Sequence, residues 1–365
     1  MLNRRDSLKL SGAAALGLIA AGEGVASVEP RRLKINVAGY SYDRVQAIKD
    51  GQVGLAQADV SFHDSNIYAM NDFAFGSAKT YEVTELGLIP YITQYINDDF
   101  RGYTPIPVFI SRTFRHRNIY VHADSGIEKP EDLRGRRVGT PGYGSSANTW
   151  VRGMLHDQYG VAAADMQWIE ATKSSDVKGA ISSSNGAGSR YHLPDSFPLE
   201  QGPAGVDESE LLLSRACDAL ITPITPAAFE QGNPKIRQLF APLKSAEQQY
   251  YRDTGLFPIM HVVALRADAI SENPWLPAAV MQMYSEAKQA AYANLAATTV
   301  LRTSLPWVTE EYEETRQLMG DDYWRYGIQA NRKELESIMR YTYEQGLVKK
   351  QVDFEQLFHP STLDT

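Results

Sequence analysis

The segment Ser111-Arg112-Thr113-Phe114-Arg115-His116-Arg117 places three guanidinium groups and an imidazole within seven residues. A guanidinium grips a carboxylate through two parallel hydrogen bonds, so Arg112 and Arg115 could hold an acidic ligand. A salt-bridged connecting strand would use the same residues. A second stretch, Pro141-Gly142-Tyr143-Gly144-Ser145-Ser146-Ala147, follows a strand pattern and opens a helical one. Free backbone N–H groups at a helix start suit an anion, which makes Tyr143, Ser145 and Ser146 candidate binding residues. Plain capping by serine explains them equally. Tyr42-Asp43-Arg44 follows the first strand pattern, where α/β proteins commonly place ligand groups. Tyr42 and Arg44 are therefore candidates, although Asp43 would also serve as an ordinary helix cap. His261 lies in the apolar run Phe257-Pro258-Ile259-Met260-His261-Val262-Val263 and reads first as a hydrogen-bonded core histidine. Glu85, in Tyr81-Glu82-Val83-Thr84-Glu85-Leu86, reads first as a surface carboxylate. Either could move a proton.

Other chemistries lack support. The chain contains no P-loop, GxGxxG, GxSxG or HExxH spacing. Its seven histidines are scattered, and the single cysteine, Cys217, excludes an intramolecular disulfide and a Cys-based zinc or iron–sulfur site within one chain. No metal ligand set and no cofactor are expected, with a divalent metal left open. A formal charge of -8 and the lack of a long Lys/Arg block argue against a nucleic-acid partner.

These side chains need a scaffold, and 365 residues with 43% hydrophobic content suffice for two lobes. Asn3-Arg4-Arg5-Asp6-Ser7-Leu8-Lys9 precedes an apolar stretch over residues 10–21 that is too short for a membrane span. It resembles a twin-arginine export signal, with cleavage after Ala26 in Gly24-Val25-Ala26. Residues 1–26 are thus expected to direct the chain to the periplasm, with the twin-arginine translocase as partner during export. A strand over 33–38, a helix over 42–49, strands over 106–110, 118–122 and 137–140, and a helix from about 144 to 159 follow. Residues 173–203 turn polar and Gly/Ser-rich, as a surface loop would. Strands over 219–222 and 257–265 lead to helices over 277–294, 309–319 and 331–345. This order predicts an α/β protein with lobe I formed by 33–120 and 262–365, lobe II by 121–261, and a ligand cleft between them.

Several segments together point to one family. They are Pro107-Val108-Phe109 with Ser111-Arg112 and Phe114-Arg115-His116, then Asp124-Ser125-Gly126-Ile127, Asp132-Leu133 and Trp150-Val151-Arg152-Gly153. Tyr250-Tyr251, Thr254-Gly255, Phe257-Pro258-Ile259-Met260-His261, Pro274-Trp275 and Gly320-Asp321-Asp322-Tyr323-Trp324 with Tyr326-Gly327 continue them. In these the chain resembles the 4,5-dihydroxyphthalate decarboxylase family. The resemblance implies a two-lobed type II periplasmic-binding-protein-like fold and places Tyr42-Asp43-Arg44 and Glu85 at family motif positions. It departs from the family after Pro141, where enzymes carry a larger, polar run with Glu and Gln, and in its export signal, since the family's enzyme is expected in the cytoplasm.

Decarboxylation of a hydroxylated aromatic acid needs a general acid, a general base and a cationic grip on the carboxylate that stays. By residue type, Arg112 and Arg115, with Arg44 beside them, are the candidates for the grip, His116 or His261 for the proton donor, and Glu85 for the base. The alternative is a solute receptor: a small acidic ligand enters between lobes, the lobes close, and the closed form docks on a membrane permease.

Overall fold

The computed structural model describes residues 32–173 and 192–365. The expected export signal and most of the polar stretch 173–203 therefore lie outside the described residues. Within Leu33–Thr365, one compact unit, the chain lays down β1 (Leu33–Gly39), β2 (Ala58–Asp64), β3 (Val83–Gly87) and β4 (Tyr103–Arg112). It crosses to form β5 (Ile119–His122), β6 (Arg137–Thr140), β7 (Gln167–Glu170), β8 (Leu199–Gln201), β9 (Ala219–Ile221) and β10 (Ile236–Gln238), then returns as β11 (Ile259–Arg266).

Two sheets result, ordered β2-β1-β3-β11-β4 and β10-β5-β9-β6-β7-β8. They share one logic. In the first, β1 runs parallel to β2 and β3, and β11 is antiparallel to both β3 and β4. In the second, β6 runs parallel to β7 and β9, β5 is antiparallel to β9, and β10 is antiparallel to β5. Each parallel core is thus closed by an antiparallel strand next to a lobe crossing: β5 on the way out, β11 on the way back. This is the α/β, two-lobed type II periplasmic-binding-protein-like arrangement. The crossings fall between Arg112 and Ile119 and between Gln238 and Ile259, where the sequence suggested 120/121 and 261/262.

Local chemistry explains the elements that matter most. All five residues of β3 are buried, as expected for a central strand covered on both faces, which shows no alternation of polar and apolar residues. The Ser146–Tyr159 helix starts on the side chain of Ser145, which accepts a hydrogen bond from the Asn148 N–H, and stops at Gly160 in the left-handed region. The Arg332–Glu344 helix buries Leu335, Ile338 and Tyr341, a stripe at three-residue spacing.

That last helix ties the two sheets together. Near its start, Glu334 accepts a hydrogen bond from Arg112 Nη2 at 2.8 Å, and both side chains are nearly inaccessible to solvent. Arg112 also donates to the Phe257 and Arg325 carbonyls and to Asn331 Oδ1. Near its end, the edge of Tyr341 meets the Trp150 ring with centroids 5.6 Å apart. Gly153 is needed there, because a Cβ would come within 2.4 Å of the Tyr341 ring. Gln345 joins the contact by accepting from Arg152 and donating to the Thr149 carbonyl. Two further bonds cross between sheets: the Ile89 N–H donates to Ser146 Oγ at 3.1 Å, and Trp150 Nε1 donates to the Ile259 carbonyl at 2.8 Å. One buried apolar cluster runs through both sheets, including Leu86, Ile89 and Met260 with Val138, Trp150 and Ile221. Leaving a buried charge such as Glu334 without its partner would cost about 3–5 kcal/mol, so the tie resists separation of its two ends.

Candidate active site

The side chains with the strongest chemical case converge on β3, β11 and the turn after β1. Glu85 stands opposite Val263 in the β3–β11 ladder, and His261 stands opposite Gly87. The two are therefore diagonal neighbours on one face of the sheet. His261 Nδ1 and Glu85 Oε1 are 2.5 Å apart. Glu85 is 1% exposed, yet it accepts two more hydrogen bonds: from the Tyr42 hydroxyl to Oε1 at 2.8 Å, and from the Tyr40 N–H to Oε2 at 3.3 Å. At Gly39, just before this turn, a Cβ would press on the Phe62 ring at 3.0 Å while meeting Oε2 at an ordinary 3.5 Å.

The surroundings hold each partner in place. Desolvation, with the Glu85 charge as the next cause, raises the Tyr42 phenol well above its ordinary pKa, so it stays a donor; Ser111 hydrogen-bonds to the same hydroxyl. The Tyr40 ring lies nearly parallel to the imidazole, with centroids 6.3 Å apart and 17° between planes. Its hydroxyl accepts from the Ile67 N–H at 2.8 Å, at the start of a helix. With Glu85 a carboxylate, Nδ1 must carry the N–H of that bond. His261 Nε2 makes no hydrogen bond among the described residues, and the side chain is 17% exposed. An imidazole tied at one nitrogen and open at the other is built to give or take a proton there.

The β4 backbone beside the pair is irregular. His261 pairs with Ser111 and Val263 with Ile106, so two steps along β11 span five along β4. Bulges of this kind commonly re-aim side chains beside functional sites. The carbonyls released from the ladder find other donors: Gly327 N–H on Pro107, Trp324 Nε1 on Phe109, and the Arg44 guanidinium on Ile110.

Comparison with known proteins now adds weight. A family model described as NMT1/THI5 like matches residues 109–186. A 4,5-dihydroxyphthalate decarboxylase from Comamonas testosteroni is 32% identical over 334 residues, 92% of this chain and 98% of that protein. The chain belongs to the 4,5-dihydroxyphthalate decarboxylase family. A protein of the same name from Pseudomonas putida is 32% identical over 223 residues, 60% of this chain and 82% of its own length. Among solved structures, the periplasmic aliphatic sulphonate binding protein of Escherichia coli matches with a TM-score of 0.48 at 16% identity, over 92% of this chain and 100% of that one.

In this decarboxylase-family chain, Tyr42, Arg44, Glu85 and His261 come together, and the other candidates from the sequence lie elsewhere. The guanidinium of Arg44 is 3.9 Å from the Tyr42 ring centroid and 4.0 Å from that of Trp324, and it also bonds Asp43. Arg112 is the buried tie to Glu334 described above. Arg115 donates to Met260 Sδ and to Asn118 Oδ1, and desolvation and the Arg117 charge lower its pKa. Tyr143 is fully buried in the second lobe between Trp168 and Phe197, with Arg152 over its ring. Ser145 caps its helix, and Ser146 accepts from Ile89 across the sheets. Sequence reasoning missed Tyr40, although Gly39 before it and Tyr42 after it marked the turn, and it read Trp324 only as part of a family segment. Among the described residues no three His, Cys, Asp or Glu side chains cluster as a metal site requires.

His116 sits apart from the pair, 1% exposed, between the edges of Phe240 and Tyr250. Neither ring nitrogen has a hydrogen-bond partner among the described residues, and desolvation lowers its pKa to about 4. The unfolded chain protonates this histidine near its ordinary value, whereas the fold does not, so acidification through that window favours unfolding. Urea titrations at pH 7.5 and pH 5 are expected to show the loss, and in His116→Phe the pH-dependent difference should shrink by roughly 2 kcal/mol. An unchanged difference would mean that His116 is not a neutral buried group.

Proposed function

We propose that the chain is a carboxy-lyase that removes carbon dioxide from a hydroxylated aromatic dicarboxylate of the 4,5-dihydroxyphthalate type, with His261 as the proton carrier and Glu85 as its fixed counter-charge. The observation that carries the reading is the Glu85–His261 pair: a buried carboxylate holding an imidazole whose second nitrogen is open. Family membership supplies the substrate class.

An aryl carbanion is too unstable to form directly, so the ring carbon bearing the departing carboxylate must be protonated first. A deprotonated hydroxyl para to that carbon pushes electrons into the ring. Nε2–H of the imidazolium gives its proton to the carbon, a C–H bond forms, and the former hydroxyl becomes a carbonyl. The bond to the carboxylate then breaks, its electron pair restores the aromatic ring and the phenolate, and carbon dioxide leaves. His261, now neutral, regains a proton from the next substrate's hydroxyl or from water. Glu85 stabilises the imidazolium without itself transferring a proton to the substrate, and buried charge pairs of this kind act strongly in a water-poor site. Of the three arginines considered for the carboxylate that stays, Arg44 is the one that stands with the pair, through its contact with the Tyr42 ring, whereas Arg112 is held by Glu334 and Arg115 lies against Met260.

The helix over Arg332–Glu344 weighs against the receptor reading. A solute receptor works by parting and closing its lobes, whereas here that helix and a shared apolar core join both sheets. Export through the twin-arginine translocase into the periplasm belongs to the proposal as well, on the strength of Arg4-Arg5 and the apolar stretch after them. A reporter fused behind residues 1–30 should then reach the periplasm, and cytoplasmic retention would refute export.

Purified chain incubated with 4,5-dihydroxyphthalate should yield protocatechuate over many turnovers, followed by chromatography. His261→Asn and Glu85→Gln should each lower kcat by about 10²–10⁴-fold. No product, together with a thermal shift by the same compound, would replace the lyase by a receptor that docks on a permease.

A further inference from the structure

We infer that Trp324 is a positioning residue for the Glu85–His261 pair, acting through Arg44 and Tyr42. The inference rests on the reading of that pair as the proton carrier. Its basis is a continuous stack of contacts. The guanidinium of Arg44 lies between two aromatic faces, Tyr42 at 3.9 Å and Trp324 at 4.0 Å. Such a sandwich restrains a cation and both rings together. The Tyr42 ring so held carries the hydroxyl that donates to Glu85 Oε1, the same oxygen that meets His261 Nδ1.

Trp324 is itself anchored on every side. Its N–H donates to the Tyr292 hydroxyl at 2.8 Å, and its carbonyl accepts from Lys288 Nζ at 3.0 Å. Lys288 is 4% exposed and shares Asp322 with Tyr292, which ties Asp322 and Trp324 to the helix over Leu276–Leu295. The indole Nε1 donates to the Phe109 carbonyl in the bulged stretch of β4, next to the Ile110 carbonyl that Arg44 occupies. One residue therefore satisfies the irregular strand and supplies the outer face of the stack. The segment Gly320-Asp321-Asp322-Tyr323-Trp324, which sequence reasoning marked without a role, acquires one: it presses Arg44 against Tyr42 and so sets the approach of Tyr42 to the carboxylate.

Two conservative variants test this. Trp324→Phe keeps an aromatic face and loses the bond to Phe109; Arg44→Lys keeps the charge and loses the planar stack and the twin bond to Ile110. Both are compared with Glu85→Gln and His261→Asn, using 4,5-dihydroxyphthalate turnover and the low-field proton resonance of the His261–Glu85 hydrogen bond, identified by its loss in the last two variants. The expected result is a fall in kcat of about 10–100-fold with KM within about twofold, since small misplacements of a proton carrier cost that much. The low-field resonance should also move or broaden. An unmoved resonance, whatever happens to kcat, would overturn the inference, as would a change in KM alone. Full turnover in Glu85→Gln or His261→Asn would instead remove the role of the pair itself, and the positioning role with it.

Discussion

A carboxylate at 1% exposure is the constraint around which the rest of the site is arranged. Moving an unpaired carboxylate out of water costs more than a fold of this size can spare, so Glu85 must be met by donors on every lone pair that faces protein. The chain supplies an imidazole from β11, a phenol from the turn after β1 and a backbone N–H from Tyr40. Each donor imposes its own requirement. The imidazole needs the β3–β11 register that sets His261 two residues from the position opposite Glu85. The phenol belongs to a ring that Arg44 covers, with Trp324 on the far face of the guanidinium, and the N–H comes from the residue after Gly39.

The same logic governs the lobe crossing. Arg112 leaves β4 and is buried completely, so its charge has to be matched where the chain returns, by Glu334 and by the Phe257 carbonyl. Desolvation lowers the Arg112 pKa to about 10 while Glu334 opposes that shift, which makes the pair a mutual requirement. Because Glu334 begins a helix whose far end packs on Trp150 and Gly153, the ion pair joins the two sheets. The two buried pairs therefore differ in setting: Arg112–Glu334 joins the lobes, whereas Glu85–His261 lies within one sheet and keeps His261 17% exposed.

How much of this could be read from sequence follows from where the information lies. The helices over Leu276–Leu295, Val308–Met319 and Arg332–Glu344 were legible to within a residue or two, since their three- and four-residue apolar spacing is local. The first strand and the capped helix at Ser145 were legible for the same reason. Glu85 was not, because β3 is buried on both faces and a carboxylate in such a strand has no local mark that separates it from a surface one. Arg44 and Arg112 announced their charge but not their partners: Ile110 lies 66 residues from Arg44, and Glu334 lies 222 from Arg112. The resemblance to the decarboxylase family did flag Tyr42-Asp43-Arg44 and Glu85 together, which composition and periodicity alone could not.

The claim that Glu85 fixes His261 as a proton carrier is tested most directly by the tautomer of that imidazole. Nitrogen-15 shifts of His261, assigned by comparison with His261→Asn, should show Nδ1 protonated throughout and only Nε2 gaining and losing a proton as pH changes, with this preference lost in Glu85→Gln. A neutral His261 protonated on Nε2 would contradict it, because Nδ1 could then not donate to the buried carboxylate and Nε2, already carrying its proton in the neutral ring, would have no lone pair with which to take one up.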